Sequence, residues 1–308
     1  LRTGIPALAW LEELKPPAPS ITLEQVGDCY FTDKGHDKKE LHNSKKWWKE
    51  FQKNTGCITV QDITNQKIKA YRTKIIEEQG KKSNSYSRNR FGKVVSILRY
   101  ASTELDVSPE DRFLLTTIRI KKLSKPRGKP VMLTREEFQG ILAEATNPTD
   151  RALVLVGLNC AFTPIDLIRL KHSHLEGNTI QFDRIKSARL ADGAITRFAV
   201  LWDESLAAIN DLPHKTNNVF LSREGSPFNN DTINNRFKRL CRGAKVTRRL
   251  TFKNLRSSAQ SVAARAGVSQ VAYHVLAGHT LVGVDEDYIY KDPACVRAAC
   301  AAIRAVDL

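Results

Sequence analysis

The stretch Leu250–Lys291, LTFKNLRSSAQSVAARAGVSQVAYHVLAGHTLVGVDEDYIYK, decides how the rest of the chain is read. Its apolar positions predict a helix from about Phe252 to Ala266, which Gly267 ends. Ser269 stands at the cap of a second helix whose stop is Gly278, so His279 falls in an exposed turn. Tyr288 follows nine residues after the histidine. Each of Arg256, His279 and Tyr288 has an ordinary structural use: a surface arginine, a histidine capping a helix dipole, a tyrosine packed by its ring.

Working outward, Pro293–Val306 reads as an alanine-rich amphipathic helix, and Asn230–Arg242 as a helix ended by Gly243. The latter turns Ile233, Phe237 and Leu240 inward and leaves Arg236, Arg239 and Arg242 largely outward, with Arg236 and Arg239 as further candidate DNA contacts. The pattern between about Thr179 and Leu201 is strand-like: Thr179–Asp183 alternates, Ala191-Asp192-Gly193 supplies a turn, and Thr196–Leu201 returns. Val219-Phe220-Leu221 is a candidate short strand beside them. Helices are predicted at Thr149–Asn159 and Thr163–Leu170, the second opened by Thr163 as cap, Pro164 in the first turn and Asp166 at the capping-box position. Leu133-Thr134-Arg135-Glu136-Glu137 carries another capping box, and a domain begins near Met132. The KKLSKPRGKP stretch before it, Lys121–Pro130, has two prolines, a glycine and five basic residues, the composition of a linker.

From His36 to Lys122 the pattern is helical again, after a predicted short helix at Thr22–Thr32. Trp47, Trp48, Phe51, Ile58 and Val60 are expected as core anchors, followed by Ile68, Tyr71, Ile75 and Ile76 over Thr64–Gln79. Phe91, Val94, Val95 and Leu98 continue the pattern over Ser85–Leu105. Leu1–Ser20, with Pro16, Pro17 and Pro19, reads as an arm. Between His36 and Lys129 there are 23 Lys/Arg against 10 Asp/Glu. Lys81, Lys82, Arg88, Arg90 and Lys93 are the phosphate contacts this density suggests.

The whole chain of 308 residues is long enough for two domains and carries a formal net charge of +16. A surplus of that size favours a polyanionic partner, bound through phosphate contacts and counterion release. The longest apolar run, Ala152–Phe162, is too short to span a bilayer, so no membrane segment is expected. Six cysteines without a CxxC pair point to reduced thiols in the cytoplasm. Cys29, His36, His42 and Cys57 match no usual zinc spacing, and no metal site is expected.

The L-R dipeptide at Leu255-Arg256, the G-H dipeptide at Gly278-His279 and the following Tyr288 resemble the C-terminal signature of tyrosine recombinases, the phage integrase and Xer-type enzymes. The resemblance covers roughly Ile21 to the C-terminus. It implies a mainly α fold with a small antiparallel sheet: a helical core-binding domain over residues 21–122, a basic linker over 123–131, and a mixed catalytic domain over 132–308. It further implies double-stranded DNA as partner, held in a C-shaped clamp, and a homotetramer on paired sites, with the C-terminal segment docking on a neighbouring subunit; packing of that helix on its own domain is the equal alternative. No cofactor is implied. Tyr288 would form a 3′-phosphotyrosyl bond, with Tyr290 its rival by proximity. Arg256 and His279 would hold the phosphate with Lys253, three residues before the arginine. Lys186, between the strands, would protonate the leaving hydroxyl, with Arg184 and Arg189 as competitors.

One departure stands out. Where the family carries a G-L-R-x-S-E-L-like segment, this chain has Ala161-Phe162-Thr163-Pro164-Ile165-Asp166-Leu167, with Thr163 in the arginine's place. Loss of one transition-state donor typically costs on the order of 10²–10³ in rate. Arg151, Arg169 and Arg189 are the candidates to replace it in space. A DNA-binding protein of the same fold with weak or absent turnover is therefore the alternative, and a type IB topoisomerase-like enzyme a more distant one.

Overall fold

The computed structural model describes residues 20–34, 38–78, 84–117, 130–184, 195–279 and 290–305. Two compact units meet in sequence at residues 128 and 129, and each has its own apolar core. The fold is mainly helical, with one small antiparallel sheet of order β1-β2-β3. Lys81, Lys82, Lys186, Arg189 and Tyr288 lie outside the described residues, as do the proline-rich arm and most of the linker.

The first unit is built from α1 (Leu23–Asp33), α2 (Lys38–Thr55), α3 (Asn65–Glu77), α4 (Asn84–Glu104) and α5 (Pro109–Thr117). Thr22 starts α1 through a reciprocal capping box with Gln25. Trp48 and Phe51 of α2 stack at 5.3 Å, and the Trp48 indole donates to the Leu23 carbonyl at 2.9 Å, which fixes α1 on α2. Two expected anchors are not core residues. Ile58 is 72 % exposed because it precedes the short 3-10 turn at Val60–Asp62, and Ile76 lies on the outer side of α3. The nine-residue α5 falls within the stretch read as helical, where it was given no bounds of its own; its Leu115 is buried, and its Asp111 carboxylate accepts from Ser20 and Ile21.

The second unit comprises α6 (Arg135–Glu144), α7 (Pro148–Asn159), α8 (Pro164–Ile168), β1 (Leu175–Glu176), β2 (Thr179–Arg184), β3 (Ile195–Val200), α9 (Asp203–Asn210), α10 (Asn230–Gly243), α11 (Lys253–Arg265), α12 (Gln270–Ala277) and α13 (Pro293–Ala305). α7 is its central helix, buried on every side from Ala152 to Asn159. Gly157 lets α11 come close, since a Cβ there would lie 2.5 Å from the Phe252 ring. The buried Asn159 carboxamide donates to the Val200 carbonyl at 3.0 Å and accepts from Trp202 N at 2.9 Å, which pins the end of β3 to α7. β2 and β3 pair from Thr179↔Val200 to Arg184↔Ile195.

Val219-Phe220-Leu221 is not a strand. Val219 and Phe220 are both buried, so the segment lacks the alternation of a strand and is instead tied down by single bridges at Asn218 and Leu221. Helix α9 was not anticipated; it begins directly after β3 with Trp202 at its N-cap. Ser269 does occupy the N-cap of α12, but its side chain makes no capping hydrogen bond there. α13 packs on its own unit, burying Val296, Ala299, Cys300 and Ile303, and the Trp202 indole donates to the Cys300 carbonyl at 2.8 Å.

Candidate active site

α11 opens directly after Phe252, a residue buried against Phe237 of α10, and this anchor sets the helix rotation. Arg256 then faces inward at 5 % exposure, while Lys253, one turn earlier, is exposed. The Arg256 guanidinium donates through Nη1 to the Ala161 carbonyl at 3.0 Å and through Nη2 to His279 Nε2 at 2.9 Å. A guanidinium only donates, so His279 accepts at Nε2 and, when neutral, carries its proton on Nδ1.

His279 reaches this position because Gly278 turns left-handed, at φ 60°, after the last turn of α12. Its backbone N–H donates to the His274 carbonyl at 2.9 Å, and the two imidazoles meet edge to face at 5.5 Å. Burial of the ring's inner side, the Arg256 charge and further cations nearby push its pKa down to about 4. The histidine is therefore a neutral hydrogen-bonding group at physiological pH.

Two more arginines arrive from the sheet. Arg197 of β3 is fully buried, with Nη1 on the Ala277 carbonyl and Nη2 shared between the Cys160 and Ala161 carbonyls at 3.0 and 3.3 Å. Its guanidinium lies 4.8 Å over the Phe162 ring, a cation–π contact. Arg184, the last residue of β2, donates to the Gly278 carbonyl at 2.8 Å. Both approach the buried Asp166, at 3.8 Å for Arg197 and 3.7 Å for Arg184.

Asp166 also accepts from the Thr163 N–H at 2.8 Å and hydroxyl at 2.6 Å. Burial works to raise this carboxyl's pKa, but Arg197, the Thr163 hydrogen bonds and Arg184 together hold it below the usual range. Burial, followed by the neighbouring arginine charges, pushes Arg256 down to about 9, and burial pushes Arg197 down to about 10. Three guanidiniums thus face one carboxylate in a poorly solvated place, leaving a positive surplus that suits an anion. Ala161 has φ 49°, unusual for a residue with a side chain, and its carbonyl receives both Arg197 and Arg256.

The structure brings Arg256 and His279 into direct contact and adds Arg184, Arg197 and Asp166. Sequence reading weighed Arg184 only as a rival to Lys186, took Asp166 for a cap and passed over Arg197. An arginine inside an apolar strand run, Phe198-Ala199-Val200, was the available signal for Arg197. Of the replacements considered for the missing arginine, Arg151 is exposed near Glu204. Arg169 lines a surface cavity of about 580 Å³ with Lys171, His174 and Asn218.

The suggested DNA contacts have varied surroundings. Arg90 is 4 % exposed, lies against Tyr71 and pairs with Glu50 and Glu78, so it belongs to the interior of the first unit. Lys93 pairs with Glu40 at 3.0 Å, and Arg88 is half-buried. Arg236 and Arg239 both engage the buried Asp150 while remaining partly open to solvent. Sequence reading missed an exposed basic face on α2, formed by Lys45, Lys46, Lys49 and Lys53. Among the described residues there is no group of three or more potential metal ligands, and no helix long and apolar enough to cross a membrane.

A strand-borne arginine, a helix-borne arginine and a turn histidine thus come together in a helical unit with a three-stranded sheet. The phage integrase family model matches residues 132–293, 162 of the 308. The chain belongs to the phage integrase family. No curated protein matches it by sequence. Solved structures share its fold. A lambda integrase tetramer bound to a Holliday junction superposes with a TM-score of 0.66 at 17 % identity, covering 95 % of this chain and 82 % of that one. A lambda integrase dimer on a core site gives 0.65 at 16 % identity, over 88 % and 98 %. The Tn1549 transposon integrase with transposon right-end DNA gives 0.63 at 15 % identity, over 90 % and 98 %.

Proposed function

We propose that this chain carries out site-specific DNA recombination by cleaving and rejoining strands through a 3′-phosphotyrosyl intermediate at Tyr288. The observation that carries this reading is the direct contact of Arg256 with His279, with Arg184 and Arg197 close by as further cations. A scissile phosphodiester entering it would take over donors that Arg256 now directs to His279 and Ala161. The fixed cations would stabilise the charge that grows on the non-bridging oxygens as the tyrosine attacks. The phenol loses its proton and forms a bond to phosphorus, the bond to the 5′-oxygen breaks, and Lys186 supplies that oxygen's proton. Lys253, at the exposed start of α11, assists in holding the phosphate or moving a proton. The bond energy stays in the phosphotyrosine, so a second DNA end can be joined without a nucleotide cofactor. Double-stranded DNA is the partner, contacted through basic faces of both units, and four protomers would act on paired sites. The domain assignment is part of the same proposal: residues 21–122 bind the DNA core, 123–131 link, and 132–308 catalyse.

The test is a nicked suicide duplex, its site recovered by selection with the protein itself. Wild type should accumulate a covalent protein–DNA adduct, Tyr288→Phe should form none, and Tyr290→Phe should behave as wild type. Thr163, which bonds Asp166 and brings no cation, favours a second reading, a DNA-binding protein with little turnover. Tight binding without adduct in the wild type would select it.

A further inference from the structure

We propose that Arg184 is a phosphate-contacting residue of this site, supplying from the end of β2 the guanidinium that the start of α8 does not provide. This rests on the anion-pocket reading above and assigns a residue within it.

At the start of α8 the Thr163 hydroxyl and N–H are both committed to Asp166. That carboxylate is 2 % exposed, and it draws in arginines from the two paired strands rather than from its own helix. The two strand arginines differ in what they can reach. Arg197 is fully enclosed and forked onto the carbonyls of Ala277, Cys160 and Ala161. A group so placed cannot touch a ligand, and it acts as a positioning residue that ties β3 to both the α7–α8 turn and the end of α12.

Arg184 stands at the rim, with its side chain 15 % exposed. Its Nη1 is 2.8 Å from the carbonyl of Gly278, the residue immediately before His279, and its Nε lies toward Asp166. The guanidinium is thereby oriented from two sides beside the histidine. Its charge is felt at both ends of the Arg256–His279 pair, where it helps to lower both pKa values. An anion that replaced the Arg256–His279 contact would meet Arg184 from the sheet side and Arg256 from the helix side, with the imidazole between them. Two opposed guanidiniums are what a tetrahedral oxyanion with several acceptor oxygens can use.

The experiment uses the full chain and inorganic orthophosphate, and needs no knowledge of the DNA site. Binding is followed by the NMR shift of the His279 Cε1–H. Arg184→Gln removes the charge together with the reach of Nη1 to the Gly278 carbonyl, and the double variant below separates these two losses. It is expected to weaken phosphate about tenfold or more, the scale of one charge-assisted hydrogen bond. Adding Thr163→Arg to that variant should recover most of the loss, because it returns a guanidinium to the other edge of the same pocket. Phosphate binding by Arg184→Gln within about twofold of wild type overturns the assignment. So does a double variant no better than Arg184→Gln, which would mean that Arg184 serves only to hold the Gly278 turn. A wild-type protein that does not bind phosphate at His279 overturns the anion-pocket reading itself, a different failure from either of these.

Discussion

His279 shows how far a single residue's behaviour is set by what surrounds it. Its ordinary pKa is about 6.5, and in this fold burial and the adjacent Arg256 bring it to about 4. Between those values the unfolded chain binds a proton that the folded chain refuses. The residue's contribution to stability is therefore fully present above about pH 6.5 and is lost as the pH falls toward 4. The His279 Cε1–H resonance of the anion-free protein should stay flat from about pH 8 to about 5.5, and bound phosphate should raise its midpoint. A midpoint near 6.5 without phosphate would mean that the Arg256 contact is not formed in solution. The histidine and Arg256 were legible in the sequence because helix stops and dipeptides mark them. Asp166, Arg184 and Arg197 were not: their roles come from pairing across gaps of 18 residues and more, which no local pattern records.

The elements that deliver these residues meet at the end of α12. Gly278 is needed there twice over, once for its positive φ and once because a Cβ would lie 2.3 Å from Arg197 Cδ. Gly278→Ala should destabilise the protein by about 2–4 kcal/mol, combining left-handed strain with overpacking. Thermal denaturation should show a Tm lower by several degrees, and an unchanged Tm would separate the turn from Arg197. Helix stops of this kind were read correctly at Gly267 and Gly278, where chemistry and position coincide. The strands were also visible, β2 through alternation and β3 as a β-rich run. Val219–Leu221 misled because a buried irregular segment has strand-like composition, and α9 was missed because it starts directly at the strand's end without a Ser, Thr, Asp or Asn cap.

At the scale of the molecule, the formal charge of +16 is spread over two units with different uses for their cations. Arg90 contributes to the interior of the first unit, whereas Lys46, Lys49 and Lys53 lie open on α2. Affinity for a random-sequence duplex should fall with salt at a log–log slope of about −0.9 per phosphate engaged. Replacing those three lysines with glutamine should flatten the slope by about 2–3. Arg90→Met should lower Tm and leave the slope alone. Equal slopes for the triple variant and wild type would take α2 out of the DNA-binding surface. Charge density located the basic unit from sequence, but it could not separate cations that face water from one that crosses a core. The position of α13 has an optical consequence. The Trp202 indole is 8 % exposed and hydrogen-bonded to the Cys300 carbonyl, while Trp47 and Trp48 belong to the first unit. Any departure of α13 toward a neighbouring protomer would strip the indole of its acceptor and let in water, shifting its emission to the red. The chain thus carries a fluorescent gauge of α13 docking, readable without a label as a change over the emission of Trp10, Trp47 and Trp48.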